Sequence, residues 1–234
     1  MGVELNKKSQ QLFNLLITIP PSLKEAEEFL NSNALTADDV TKVGINYAEE
    51  CYCDVCDWAT ERNTPHPEEF VPGLHSSYIV EVAKLLLRFG LKPNAVYGAE
   101  KNNFMFLLQF IHNEYLAADT FALLFEHGGD PNLEMDGETI FEEVDFDVFF
   151  GAVEQENRQL YSSIVHCWMV MLAYGGKYQK KNVVTVFKEY DSQTVFDLKN
   201  LKNHRDYFFG LSHEADGVTI HIYDKKMFWE VVRS

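Results

Sequence analysis

The stretch that decides the fold is Leu123-Leu124-Phe125-Glu126-His127-Gly128-Gly129-Asp130-Pro131-Asn132. A copy of it stands 38 residues earlier as Leu85-Leu86-Leu87-Arg88-Phe89-Gly90-Leu91-Lys92-Pro93-Asn94. Two Leu, a Gly, a Pro and an Asn coincide at that single offset. A looser third copy, Val170-Met171-Leu172-Ala173-Tyr174-Gly175-Gly176-Lys177, follows the second at an offset of 47. The apolar run is the buried face of a helix. The Gly supplies the left-handed backbone that ends it, Pro cannot continue it, and Asn suits a turn. Each copy therefore reads as helix, glycine stop and tight turn.

Working outward, Asn103 to Ile111 is a strongly apolar helix, broken at His112-Asn113-Glu114 and followed by a second helix from Tyr115 to His127. That is an αα-hairpin with a short connection. Four such pairs are predicted: Ser9–Ile17 with Ser22–Leu30, Ala37–Thr60 with Ser77–Phe89, Lys101–His112 with Tyr115–His127, and Glu138–Phe150 with Gln155–Tyr174. Pro20-Pro21 forces the first break, and Asp136-Gly137 marks a tight turn ahead of the fourth pair. Three or more stacked units suffice for a continuous core. From Lys180 the pattern changes. Val183 to Val186 reads as a strand. The run Asp206 to Ser212, the Asp216-Gly217 pair and Val218 to Tyr223 read as a β-hairpin, and Met227 to Val232 completes an antiparallel meander. Such a small sheet needs a surface to pack on, and the last helix pair offers one, so the meander is expected to cap the stack. The expected organisation is a mostly α chain with helical repeats over 1–178 and a β-rich extension over 179–234.

The repeat resembles the ankyrin family, whose units run helix, turn, second helix with paired Leu, then Gly-Ala-Asp-Pro-Asn and a turn ending in Asp-x-x-Gly-x-Thr. Gly128-Gly129-Asp130-Pro131-Asn132 and Asp136-Gly137-Glu138-Thr139 match that pattern, Gly90-Leu91-Lys92-Pro93-Asn94 matches it in part, and Gly175-Gly176-Lys177 matches its start. The family's Thr-Pro-Leu-His helix opening is missing; Thr139-Ile140-Phe141-Glu142 keeps only the Thr. The resemblance implies an ankyrin-like solenoid of about four helix pairs that binds another protein through a concave surface of turn tips and first helices. Carried over, the tips are Asn94, Ala95, Val96 and Tyr97 in one unit and Asn132, Glu134, Met135 and Asp136 in the next. The acids of the first helices join them: Glu49, Asp54, Asp57, Glu142, Glu143, Asp145 and Asp147.

Charge narrows the partner. The 234 residues carry 20 Lys plus Arg against 36 Asp plus Glu, a net charge of −16. That argues against nucleic acid and against an anionic membrane surface, and for a basic protein. With 46% hydrophobic residues the chain can bury a sizeable core, which excludes global disorder. No apolar run approaches the roughly 20 residues of a membrane helix. Leu12 to Ile19, after Lys7 and Lys8, imitates a signal peptide but is followed by Pro20-Pro21 rather than a small-residue cleavage site. Position 6 is Asn, against myristoylation at Gly2. Four Cys are too few for a disulfide scaffold, so a cytoplasmic protein with reduced thiols is expected.

Several motifs invite chemistry. Cys53 and Cys56 have zinc-knuckle spacing, with His66 and His75 as further candidate ligands. There is no second Cys pair, however, and Val40, Val43, Tyr47, Cys51, Val55 and Trp58 form one helical stripe that leaves Cys53 aside. Cys167 follows His166, but neighbours on a helix point about 100° apart, so a core thiol is the preferred reading. The acid blocks Glu49, Glu50, Asp54, Asp57 and Glu142, Glu143, Asp145, Asp147 are read as solvated faces. A calcium loop, a phosphate-cradling glycine loop and a Gly-x-Ser-x-Gly elbow are all missing. No catalytic residue, metal or cofactor is therefore expected. Phe104, Phe106, Phe110, Phe121 and Phe125 read as core, while Trp58, Tyr97, Phe149 and Phe150 fall near element ends, where aromatics beside acids suit an interface.

An acidic, solitary interaction domain with divergent repeats is similar in kind to the immunity proteins of bacterial polymorphic toxin systems, which neutralise basic toxins by charge-complementary binding. A general ankyrin scaffold without a toxin partner is the alternative, and a zinc-binding or hydrolytic protein the third.

Overall fold

A computed structural model describes residues 3–61, 75–98, 101–108, 111, 115–135, 137–140, 152–177, 187–189, 198–214 and 217–224, with the backbone alone at 52–61, 138, 159, 187–189, 198–200, 213–214, 217–219 and 223–224. The described part is mostly helical. The helices are α1 (Lys7–Leu16), α2 (Leu23–Ser32), α3 (Ala37–Glu61), α4 (Ile79–Arg88), α5 (Phe104–Leu108), α6 (Leu116–Glu126) and α7 (Arg158–Ala173).

Four of these helices, α1, α3, α5 and α7, carry a side-chain cap. Asn6 caps α1 by accepting from the amides of Lys8 and Ser9 at 2.9 and 3.0 Å. Thr36 and Asp39 cap α3 reciprocally: Thr36 Oγ1 accepts from the Asp39 amide at 3.1 Å, and Asp39 Oδ2 accepts from the Thr36 amide at 3.1 Å. Asn103 caps α5 by accepting from the amides of Met105 and Phe106, and Asn157 caps α7 by accepting from that of Leu160. The expected stripe on α3 is found buried at Val40, Val43, Tyr47 and Cys51. The side chains of Val55 and Trp58 lie outside the described residues. Phe104, Phe106, Phe121 and Phe125 are core as expected, and Phe110 lies outside.

The helices stack as pairs in two layers. In one layer α1 touches α3 and α3 touches α5; in the other α2 touches α4, α4 touches α6 and α6 touches α7. Gly44 lets the layers close: a Cβ there would sit 2.7 Å from Leu91 Cδ1 and 3.3 Å from both Leu86 Cδ1 and a Phe104 ring carbon.

The three sequence copies end their helices identically. Gly90, Gly128 and Gly175 have φ of +98°, +88° and +86°. The residue after each Gly donates its amide to the carbonyl five positions back: Leu91 to Leu86 at 3.0 Å, Gly129 to Leu124 at 2.9 Å, Gly176 to Met171 at 2.8 Å. Each Gly donates to the carbonyl three back, completing the Schellman closure. Side chains then tie one copy to the next. Asn94 donates to the Gly128 carbonyl at 2.9 Å and accepts from the Asp130 amide at 2.8 Å; Asn132 donates to the Gly175 carbonyl at 3.1 Å and accepts from the Lys177 amide at 2.8 Å. In the first copy the corresponding amide, that of Lys92, is met within the same helix pair by Thr41 Oγ1 on α3 at 3.0 Å.

After each of the first two closures comes a small hairpin. Tyr97 and Asn102 exchange backbone hydrogen bonds at 2.9 and 2.8 Å, and β1 (Glu134–Met135) pairs antiparallel with β2 (Glu138–Thr139). The fourth pair's first helix does not begin at Glu138 as the sequence suggests, because the tight turn at Gly137, with φ +90°, draws Glu138 and Thr139 into the ladder first. The rest of that helix, 141–150, lies outside the described residues, as does the break at 112–114.

The C-terminal part forms a three-stranded sheet, β3 (Phe187–Glu189), β4 (Tyr207–Glu214) and β5 (Gly217–Asp224), in the order β3-β5-β4. The hairpin β4–β5 matches expectation, with Glu214 opposite Gly217, so Gly217 opens β5 rather than sitting in the turn. Purely antiparallel pairing does not hold: β3 runs parallel to β5, Phe187 opposite Ile220. The expected strands at 183–186 and 227–232 lie outside the described residues. Between β3 and β4, Leu198–Asp206 forms two 3-10 turns that meet at a kink at Asn203. This segment packs on α7 and reaches α6 through Asp119, so it straddles two helices of one layer. Helix α7 explains the need: Ser162 to Met171 are all buried. A helix apolar nearly all round must be covered on every side.

Asn103 ties three segments of backbone together. It is fully buried and donates to the carbonyls of Pro93 and Ala95 at 2.9 and 2.8 Å while capping α5. Replacing it by Ala is expected to cost about 2–4 kcal/mol, a lost cap plus stranded carbonyls. The exposed Asn94→Ala change is expected to cost about 1 kcal/mol. Urea titrations of both variants check the order.

Candidate protein-interaction surface

The first hairpin is fixed to α3. The Tyr97 hydroxyl donates to Asp38 Oδ1 at 2.6 Å, Lys42 Nζ lies 3.1 Å from Asp38 Oδ2, and the same Nζ sits 5.5 Å from the Tyr97 ring centroid. The Tyr97 hydrogen bond, then that of Lys42, holds the Asp38 carboxyl below its usual range. Burial, then the Asp38 contact, pushes the Tyr97 phenol up to about 12.

Tyr97 is thus half-buried and its hydroxyl is committed within the chain, while its neighbour Val96 is 41% exposed. Asn94 and Asn132, expected at the tips, spend their side-chain amides on the next copy's turn. In the second hairpin Glu134 is exposed and Met135 is half-buried against the core. Glu49 is half-buried on α3. Asp54 and Asp57 lie on the C-terminal part of α3, where only the backbone is described. Asp136, Glu142, Glu143, Asp145 and Asp147 lie outside the described residues. The expected surface is therefore represented by Val96, Glu134 and Met135 at the tips and by Glu49 on α3.

Among the described residues no group of three or more His, Cys, Asp or Glu side chains could hold a metal ion. Of the zinc candidates, His75 is held by the backbone, its Nε2 2.9 Å from the Ile17 carbonyl oxygen. Cys53 and Cys56 lie on α3 where no side chain is described, and His66 lies outside. No described helix is long and apolar enough to cross a membrane.

A second polar site was not foreseen. Asp119 on α6 meets His204 Nε2 at 2.9 Å, His204 Nδ1 meets His166 Nδ1 at 3.2 Å, and Arg205 pairs with Asp119. Tyr115 closes over it, its ring centroid 4.8 Å from that of His166 and 4.7 Å from the Arg205 guanidinium. Burial raises the Asp119 carboxyl, but hydrogen bonds and charge from His204 and Arg205 outweigh it and hold the group below its usual value. His166 turns to His204 rather than to Cys167. Cys167 is a buried free thiol, pushed up to about 12 by burial and then by the Asp119 charge, so it is not an activated nucleophile. The sequence held one signal for this site: Leu198, Leu201 and His204 recur at the period of a 3-10 turn, and Leu201 and His204 are buried.

Comparison with protein-family models, with curated proteins and with solved structures finds no match for this chain.

Removing the Tyr97 hydroxyl (Tyr97→Phe) is expected to raise the pH at which Asp38 titrates, read by carboxyl carbon shifts; an unmoved midpoint would show that the hydrogen bond is not what lowers it. Cys167 is expected to resist alkylation at pH about 8 in the native protein and to react fully in denaturant, checked by peptide mass mapping.

Proposed function

We propose that this chain is a divergent ankyrin-type module, non-catalytic, that works in the bacterial cytoplasm by binding a basic protein. In its most specific form it is an immunity protein that neutralises a basic toxin. The observation that carries the reading is the threefold recurrence of one unit boundary. A helix ends on a left-handed glycine, and the backbone amide two residues on is taken by a side chain, from the preceding unit in the second and third copies and from the same helix pair in the first. Stacked helix pairs with hairpins between them favour recognition by an extended surface. The acid excess supplies the sign of the partner: a field from −16 charges steers a cationic protein, and apolar groups such as Val96 and Met135 supply contact energy. Glu134 is the tip acid best placed to meet a lysine or arginine, since it is exposed.

The test is a pull-down from the source cells at low and high salt, with mass identification of what is retained. A stoichiometric complex with one basic protein, weakened by salt, is expected, and Glu134→Lys is expected to slow association by roughly threefold to tenfold. Growth arrest on expressing the captured protein alone, relieved by co-expression, identifies it as a toxin. A captured protein that is harmless alone leaves a scaffold. A partner that is acidic, or bound equally at all salt concentrations, overturns the electrostatic reading.

A further inference from the structure

The sheet order β3-β5-β4 gives β5 a neighbour on both sides and β4 a neighbour on one, among the described residues. The register of β4 with β5 runs unbroken from Tyr207 opposite Asp224 to Glu214 opposite Gly217. Glu214 and Gly217 flank a tight turn, so these two exchange backbone hydrogen bonds, and alternation gives Ser212, Gly210 and Phe208 the same orientation toward β5. The N–H and C=O groups of the residues between them point the other way, out of the sheet. At Phe209 and Leu211 those groups meet no hydrogen-bond partner among the described residues. The strand that carries them is well seated. The Phe209 ring stands 6.1 Å from that of Tyr161 and 5.9 Å from that of His166, both on α7, and Leu211 packs against the core.

Sheet edges are commonly blunted by a Lys, a Pro or a bulge. The run Tyr207 to Glu214 holds neither Lys nor Pro, and its register has no bulge. It is apolar in the middle and acidic at the ends, with Asp206 just before it and Glu214 at its close. Asp206 is exposed and has no described ion-pair partner, while Arg205 beside it is paired with Asp119. Two occupants are disfavoured. A second copy would pair with this edge about Gly210, with Phe209 of one copy facing Leu211 of the other. Asp206 would then face Glu214 at both ends, between chains that each carry −16. The chain's own residues 225–234 leave β5 at Asp224, beside Tyr207. To reach the far side of β4 they would cross the connection from β3 to β4, which passes the same end of the sheet through Leu198–Asp206. Connections at one end of a sheet do not cross.

We propose that the outer edge of β4 is a docking site for an extended segment of a basic protein, which joins the sheet as a further strand. This rests on the reading above that the partner is basic, and it adds how part of that partner is held. The segment's backbone meets the N–H and C=O groups of Phe209 and Leu211, and its alternate side chains continue the apolar layer that Phe209 and Leu211 lay on α7. Lys or Arg at its two ends meets Asp206 and Glu214 and sets it apart from a neutral or acidic strand.

Amide exchange of the whole chain, read residue by residue by NMR, tests it. In the dilute free chain the Phe209 and Leu211 amides are expected to exchange roughly tenfold or more faster than those of Gly210 and Ser212, which β5 holds. The basic protein recovered by the pull-down is expected to protect Phe209 and Leu211 by roughly tenfold or more and to leave Gly210 and Ser212 unchanged. Leu211→Pro removes an N–H that β5 does not use and is expected to weaken binding roughly tenfold. Protection at Gly210 and Ser212 shows whether that variant keeps the hairpin, and should it not fold, exchange in the parent decides. Binding of the captured protein with Phe209 and Leu211 exchanging as before overturns the docking edge and leaves the basic-partner reading standing. If nothing basic is captured, a synthetic peptide of alternating Val and Thr with Lys at both ends takes its place, beside the same peptide ended with Glu. Protection by the Lys-ended peptide alone supports the edge while the wider reading falls, and equal or absent protection overturns both. Protection already present in the free chain also overturns the proposal: a second copy covers the edge if it grows with chain concentration, and the chain's own residues do if it does not.

Discussion

The stack depends on a hydrogen bond that each unit makes for the next. Two residues beyond each helix-ending glycine stands a backbone amide that has no helical partner. Asn94 and Asn132, each from the preceding unit, fill that place in the second and third copies, and Thr41 of the same helix pair fills it in the first. Asn94 and Asn132 also donate to the carbonyl of the next glycine, so one planar amide reads two backbone groups at once. This geometry fixes the spacing and register between neighbouring pairs, and apolar packing of α4, α6 and α7 follows it. A glycine elsewhere in φ would turn the loop away and leave the amide and carbonyl unmet.

Much of this was legible. The coincidence of Leu85-Leu86 with Leu123-Leu124, and of Gly90, Pro93 and Asn94 with Gly128, Pro131 and Asn132, located the unit boundaries because local backbone chemistry sets them. Paired helices followed from periodicity, and the β4–β5 hairpin from alternation. What escaped depends on contacts distant in sequence. His166 and His204 are 38 residues apart and carry no shared pattern. Tyr97 looked like an aromatic offered at a loop, but Asp38, 59 positions earlier, takes its hydroxyl. Asn94 and Asn132 looked like tips because turn chemistry places them there, while only the neighbouring unit shows what their amides do. Glu138 and Thr139 were read as helix since the strand they join is two residues long and has no period to detect.

The charge imbalance is not consumed within the fold. Described ion pairs such as Lys42–Asp38 and Arg88–Glu27 use one acid for each cation. Even if all 20 Lys and Arg were so engaged, 16 carboxylates would remain from the 36. Surface pairs of this kind contribute little to stability, so their value lies in the field they leave outside. That field weakens with salt over about one Debye length, roughly 8–10 Å under physiological conditions. For a basic partner of the kind proposed, the attraction would therefore act only at short range.

The near-total burial of α7 has a consequence for the order in which the protein is made. The earlier helix pairs close against neighbours already synthesised, so they can settle one after another as the chain leaves the ribosome. Residues 162–171 cannot, because part of their cover is the 198–206 segment and Phe209, which emerge later. For that interval an apolar helix waits half-clothed, and chaperone capture of nascent chains should peak there.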